Sequence, residues 1–459
     1  MSANTLTADV AICGAGIAGV ATAYHLAVKQ GIKNVVLVDE RAPLSLTSDK
    51  STEAYRNWWP GPGDAMVSMM NRSIDLLEEL ARESGNVFHL NRRGYLYATA
   101  DPDRIRHLEA FAQEASDLGA GLVRRHNGDV DKEIYYPAPA EGFDDQPDGA
   151  DLISDQKLIR KHFPYLSDEI VTVLHVRRAG WFSAQQFGAY LLDKARECGV
   201  RLIAGKVASV EVGGGNVTSV SLAGGEIISS PVFVNAAGPM LAEIGTLLDV
   251  DIPVFNELHL KAGFDDHLGV VPRDAPMVIF ADEQSLDWTE DERQMLAADD
   301  AVRWLTESLP MGAHTRPEGG AGAQTLLVLW DVHEEAIEVD VPPNIDPLYF
   351  EITLRGLCRM IPGMQVYLEK LPKPFIDGGY YTKTRENRPL ASPLPLEGSF
   401  VIGAMSGYGI MASAALGELL AAHITQAKLP NYAPAFDFAR YEDPNYQRRL
   451  ENWGDSWQL

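Results

Sequence analysis

Apolar positions in this chain follow two rhythms, and the rhythms alternate. The run "VAIC" (residues 10–13) is short and wholly apolar, as expected of a strand covered on both faces. Beyond it Val20, Tyr24 and Ala27 recur at helical spacing through residues 17–28, and "NVVLVDE" is a second, β-branched strand ending in acid. Residues 65–83 predict an amphipathic helix, "RRGYLYAT" a strand, and residues 103–118 another helix. Residues 125–149 are rich in Pro, Gly and Asp and predict a surface loop. "SAQQFGAYLLDKARECGVRLIAG" reads as a helix ending at glycine and leading into a strand. The stretch from Lys206 to Pro239 reads as three strands joined by two glycine turns. Between Val250 and Phe375 alternating segments recur ("ELHLKAGF", "TLLVLWDVH"), interrupted by an acidic stretch, "DEQSLDWTEDERQMLAADD", and by "RPEGGAGAQ". Residues 376–427 form a glycine-rich block closing in a helix, and a mostly polar tail follows from Asn431. The pattern is that of a mixed α/β protein without internal repeats.

Bulk properties narrow the function classes. At 459 residues, two domains is the natural expectation. A hydrophobic content of 46% with 22% charged residues fits a globular protein. The net charge of −25 argues against nucleic acid and against an anionic membrane surface. Three cysteines, Cys13, Cys198 and Cys358, make neither a disulfide framework nor a metal site. The first residues, "MSANTLTAD", do not read as a signal peptide, and no apolar run reaches the ~18 residues of a membrane span. A cytoplasmic protein is expected.

The first forty residues carry the strongest motif. Strand, glycine turn, helix and second strand surround G-x-G-x-x-G at Gly14, Gly16 and Gly19, the context of a dinucleotide site. Gly14 permits the tight turn, and Gly16, Ile17 and Ala18 open a helix whose N–H groups suit a pyrophosphate; Gly19 allows close helix–strand packing. An acid for the ribose hydroxyls is expected about 20 residues on. Asp39 and Glu40 stand there, with Asp39 preferred because neighbours in a strand face opposite ways. The glycines leave NAD and FAD open.

The far end of the chain separates them. "GGYYTKTRENRPLASPLPLEGSFVIGAMSGYGIMASAALGELLAAHI", with the N-terminal unit and "VNAAGP", resembles the D-amino-acid oxidase superfamily of FAD enzymes, in the branch holding glycine oxidase, sarcosine oxidase and the sarcosine and dimethylglycine dehydrogenases. The resemblance implies a Rossmann-like FAD domain (1–90, 175–250 and 376–459) interleaved with a substrate domain on a large mixed sheet (91–174 and 251–375). It implies cofactor contacts at Gly403, Gly407 and Gly409, with Tyr408, Ile410 and Met411 beside the flavin, and at Ser48, Ser51, Val207 and Gly238. Some relatives attach FAD through a cysteine where Gly379 stands, others through a histidine that "TSDKSTEAY" lacks, so non-covalent FAD is expected. A lysine that holds substrate carboxylate in sarcosine oxidase-like members is replaced by Met411, so another cation or a different acid geometry is expected.

The family reaction is dehydrogenation of a carbon next to nitrogen, with hydride passing to flavin N5 and the imine hydrolysing in water. Arg56 in "EAYRNWW" matches an arginine that meets the carboxylate in relatives, and Tyr55, Trp58 and Trp59 are candidate walls. Alternation puts Glu257, His259 and Lys261 on one strand face, with Lys261 a candidate to stabilise reduced flavin and His259 to hydrogen-bond substrate. Tyr381, Lys383 and Arg385 are further candidates, the last two as the replacement cation; His333 reads as structural. The expected partners are a small amine or amino acid and oxygen or another acceptor. A 2-hydroxy acid or polyol phosphate substrate, an electron-accepting protein partner and the oligomeric state stay open.

Overall fold

The computed structural model describes residues 5–128, 134–320, 322–332 and 335–453. His333, residues 129–133 of the Pro/Gly/Asp-rich loop, Ala321 and the end of the polar tail lie outside the described residues.

Two sheets organise the chain. The first has six strands in the order Arg201–Ala204, Val35–Asp39, Val10–Cys13, Phe233–Asn235, Ser399–Gly403, Leu390–Pro393, all parallel except the last. Val10–Cys13 is fully buried, as its unbroken apolar run requires. Helices Ile17–Tyr24, Ala184–Glu197 and Gly409–Thr425 pack together beside this sheet, and Ala65–Ser84 packs on the last of them. A four-stranded sheet (Thr5–Thr7, Ile227–Ser229, Asn216–Leu222, Val207–Gly213) joins the N-terminal strand to the segment read as three strands. The third of those is in fact two: past Ser230 and Pro231 the chain leaves this sheet and enters the parallel one as Phe233–Asn235.

The second large sheet has nine strands in the order Phe375–Lys383, Phe255–Asp265, Thr325–Leu329, His314–Pro317, Met277–Phe280, Tyr95–Thr99, Thr172–Val176, Ala150–Ile153, Val123–His126. Its strands Phe375–Lys383 and Thr172–Val176 straddle two of the domain boundaries expected from sequence. One face carries Leu96, Val278, Phe280, Leu326 and Val328 into a core closed by the helix Tyr349–Met360. The registers place Tyr95, Tyr97, Met277, Ile279, His314, Arg316, Lys261, His259, Glu257, Tyr381 and Lys383 on the opposite face. Tyr95, Tyr97, Met277 and Ile279 join the core of the cofactor helices, so this face looks toward them. The candidate site residues lie between the two sheets.

Two stretches that looked irregular are ordered. The acidic interruption contains the helix Glu290–Ala298, started by a reciprocal cap between Thr289 and Glu292. The polar tail folds into short turns and the helix Pro444–Glu451. It is anchored by Arg440, whose Nε and Nη2 donate to Glu386 Oε1 at 3.0 and 2.8 Å; Tyr441 and Tyr446 donate to the same oxygen at 2.9 Å. Glu386 belongs to the "T-R-E" stretch expected near the flavin, and it is a buried anchor.

Candidate functional site

Where the parallel strands end, a cavity of about 340 Å³ runs from Gly205, Lys206 and Val207 past the first glycine turn to Gly403, Met405 and Ser406. Its middle is the N-terminus of the helix Ile17–Tyr24, which has neither an acidic residue in its first turn nor a side-chain cap from Gly16. Unsatisfied N–H groups and the helix dipole there favour an anion. Gly14 has φ +111°, and a Cβ on it would stand 2.3 Å from Ala236 O; a Cβ on Gly19 would stand 2.0 Å from Gly14 O. Only glycine fits this turn. Ile17 N donates to Ser48 Oγ at 3.0 Å, bringing the 45–50 turn onto the helix tip. Asp39 accepts from Ala15 N at 2.8 Å and Arg41 N at 2.9 Å, which fixes its carboxylate at the cavity wall. An elongated cavity with N–H groups in the middle and a carboxylate toward one end suits a dinucleotide.

Of the residues predicted for the cofactor, Gly14, Gly16, Ile17, Ala18, Asp39, Glu40, Ser48, Val207, Gly238, Gly403 and Gly409 line this cavity. Behind the lining stand Gly19, Ser51, Gly407, Tyr408, Ile410 and Met411. Tyr408 packs edge-on to Trp59 with ring centres 4.9 Å apart and donates to Asn387 O. Met411 lies in the apolar core, its carbonyl accepting from Ser73. At Gly379 a Cβ would meet Lys50 Cβ at 2.9 Å and Thr47 Cα at 3.4 Å, so a side chain at this position would displace the turn that carries Ser48.

Beside the cavity, the face of the nine-stranded sheet holds a polar cluster. His259 stacks on Tyr381 with ring centres 3.8 Å apart and planes 13° from parallel. Its Nε2 is 3.0 Å from Glu257 Oε2 and its Nδ1 3.0 Å from Asp331 Oδ1. Burial opposes the charged imidazole, but Asp331 and then Glu257 outweigh it and raise His259 to about 9. Lys383 Nζ is 2.9 Å from Glu257 Oε2, so one carboxylate serves two cations. The back of the Tyr381 ring is against Gly407, where a Cβ would stand 2.4 Å from the ring. This packing by itself requires glycine at that position.

His314 differs from His259. Its Nδ1 lies 2.7 Å from Gly312 O, a contact that makes Nδ1 the N–H donor and leaves the Nε2 lone pair available. Burial lowers its pKa, keeping the ring neutral.

Arg56 stands over this face. It is 9% exposed, with its guanidinium 4.5 Å from the Trp59 ring centre and 5.6 Å from that of Tyr95. Nε donates to Trp58 O at 3.2 Å. Among the described residues no carboxylate lies within ion-pair distance of it. A buried guanidinium without a counter-charge is costly, which makes Arg56 a candidate seat for an anion.

Lys261 is on the same face, but Nζ donates to Ser51 O at 2.7 Å and lies 3.5 Å from Asp49 O. Arg385 is exposed. The structure gathers the candidates Arg56, His259, Lys261, Tyr381 and Lys383 about one face, of which alternation joins only His259 and Lys261 with Glu257. It adds Asp331, His314 and Tyr95, which the sequence reading missed. The registers of "TLLVLWDVH" and "HTRP" against their neighbours would have found the first two, but pairing is not written in a single strand.

Comparison with known proteins agrees with this geometry. The family model for FAD-dependent oxidoreductases of the DAO family matches residues 9–423. Dimethylglycine dehydrogenase, mitochondrial, from Rattus norvegicus is 23% identical over 445 residues, which are 95% of this chain and 44% of that protein; the chain thus spans less than half the length of this relative. The crystal structure of L-proline dehydrogenase from P. horikoshii superposes with a TM-score of 0.72 at 19% identity, covering 95% of this chain and 98% of that one. Glycine oxidase from Geobacillus kaustophilus gives 0.70 at 16% identity, with 95% and 98% covered. The fold is the mixed α/β fold of these flavoproteins. No helix among the described residues is long and apolar enough to cross a membrane. The chain belongs to the DAO family of FAD-dependent oxidoreductases, and its cofactor is FAD.

Proposed function

We propose that the protein dehydrogenates the carbon–nitrogen bond of an amino acid or N-alkylated amino acid bound on the face of the nine-stranded sheet. The observation that carries this reading is Arg56, a buried guanidinium without a carboxylate partner among the described residues, placed beside the cofactor domain. Its planar fork suits a substrate carboxylate. The relatives named for dimethylglycine, glycine and L-proline support the same class, since each name denotes a carboxylate beside an amine.

FAD would lie along the glycine turn, with Asp39 toward the ribose and the helix N-terminus at the pyrophosphate, and when bound it would supply a two-electron acceptor. The chain's own groups do the positioning. Arg56 holds the carboxylate, with Trp59 and Tyr95 as apolar walls. His259 and Tyr381, stacked as one unit, present a rigid side to the amine. His314 Nε2, a neutral acceptor, takes a hydrogen bond from the amine N–H and orients the nitrogen. The cationic His259 on the same face disfavours the ammonium and leaves the neutral amine, the form that loses hydride. The imine is then hydrolysed by water. Cofactor binding is non-covalent, consistent with the crowding at Gly379.

The test is anaerobic mixing with amino acids, N-methylamino acids and 2-hydroxy acids while the flavin band is followed. Bleaching by an amine carboxylate with release of ammonia or amine is expected. Bleaching by hydroxy acids alone would replace the reading.

A further inference from the structure

Between Ser48, at the cofactor, and Arg56, at the proposed carboxylate seat, runs a seven-residue irregular segment, residues 49–55, of which the last two open a short strand. Segments of this kind are free to move unless something holds them. Here the backbone carbonyls point into the sheet face and meet buried cations. Lys261 Nζ donates to Ser51 O at 2.7 Å. Arg316, fully buried, donates from Nη2 and Nε to Thr52 O at 2.7 and 3.1 Å. Its Nη2 also reaches Glu53 Oε2 at 3.3 Å and its Nη1 reaches Glu318 Oε2 at 2.5 Å, so the charge is balanced on both sides. Glu53, at φ +63°, accepts from Ala184 N through Oε1 at 2.8 Å, and Lys50 pairs with Asp377 at 3.0 Å. Three strands of the nine-stranded sheet thus grip one segment of the other half of the molecule. Neither Lys261 nor Arg316 lines the cofactor cavity.

We propose that Lys261 and Arg316 are positioning residues that clamp the carbonyls of Ser51 and Thr52, and through this segment hold Ser48 against the cofactor and Arg56 over the substrate. On this account the expected role of Lys261 toward reduced flavin is replaced by a mechanical one. The sheet that carries the substrate groups also sets the cofactor's grip. A left-handed Glu53 and two carbonyls on buried cations are a strained, over-determined arrangement of the kind found at ligand clamps. The inference rests on FAD as the cofactor and on Arg56 as the carboxylate seat; its first readout is independent of turnover.

The experiment is titration of apo-protein with FAD, followed by quenching of flavin fluorescence, for wild type, Lys261→Met, Lys261→Arg and Arg316→Lys. The clamp requires Lys261→Met to raise the FAD dissociation constant by about tenfold or more, the worth of one buried charge-assisted hydrogen bond. Lys261→Arg, which reaches the same carbonyls, restores most of that loss. Arg316→Lys keeps the charge but loses the fork, and weakens FAD by about three- to tenfold. In the reloaded Lys261→Met enzyme, KM for the bleaching substrate rises by a larger factor than kcat falls, because Arg56 is displaced. Unchanged FAD affinity in both Lys261→Met and Arg316→Lys, with slower flavin reoxidation in Lys261→Met, would overturn the clamp and return Lys261 to the flavin. A failed amine assay in wild type alongside weakened FAD in the variants would overturn the proposed reaction and leave the clamp standing.

Discussion

The cofactor cradle and the substrate face meet along one cleft but are made of different material. The cradle is backbone: a left-handed glycine, free N–H groups at a helix tip, and one fixed carboxylate, much of it within the first forty residues. The face is side chain: Arg56, Tyr95, Glu257, His259, His314, Asp331, Tyr381 and Lys383 come from six separate segments and meet only through strand register and the packing of Arg56 over the sheet. A backbone site depends on conformations that few residues can adopt. A side-chain site depends on charges, each tolerable only while its partner is in place. The two should therefore fail differently under mutation, in cofactor content for the first and in substrate discrimination or pH response for the second.

The largest effect is expected in the cradle. Gly14→Val forces a side chain into Ala236 O at a φ of +111°, and the purified protein should carry no flavin by absorbance. On the substrate face, Arg56→Met should lower kcat/KM for an amine carboxylate by about 10²–10⁴, with FAD content retained. The same variant should lose far less toward an amine lacking the carboxylate, as steady-state kinetics with both substrates would show. Away from both sites, Arg440→Met strands Glu386 as a buried unpaired anion, and denaturant melts should show a loss of about 3–5 kcal/mol.

A smaller effect separates the two histidines. His259 is raised to about 9, so its charge stabilises the fold fully below its unfolded value of 6.5, and that stability is lost as pH rises through 9. Asp331→Asn should flatten this decline in melts between pH 6.5 and 9. His175 and His25, lowered by burial to about 3 and about 4, act in a separate window, destabilising the fold as pH falls below 6.5. The smallest effect is expected from Glu40→Gln. Glu40 is exposed, whereas Asp39 is held by two backbone N–H groups, so Asp39→Asn should weaken FAD about tenfold and Glu40→Gln hardly at all in the fluorescence titration.

The same contrast explains what was legible from sequence. Motif spacing placed Gly14, Gly16 and Asp39 at the cavity, because a glycine turn between strand and helix is a local pattern, and the family resemblance placed Ser48 and Gly403 there. Alternation put Glu257, His259 and Lys261 on one face for the same reason. It did not say what Lys261 would meet, since Ser51 and Asp49 lie some two hundred residues away. Asp331 and His314 were missed because their role comes from the strand beside them. Gly407 and Tyr408 were named by resemblance alone, and their packing against the Tyr381 ring and Trp59 was not legible, because it joins distant segments. The helix Glu290–Ala298 was readable in Thr289-x-x-Glu292 but was hidden by its acidity.

The most direct test of the central claim is the anaerobic rate of flavin bleaching by an N-methylamino acid and by the matching amine without its carboxylate, in wild type and Arg56→Met. The account expects a strong preference for the carboxylate in wild type that collapses in the variant. An equal preference in both proteins would contradict it and move the carboxylate seat away from Arg56.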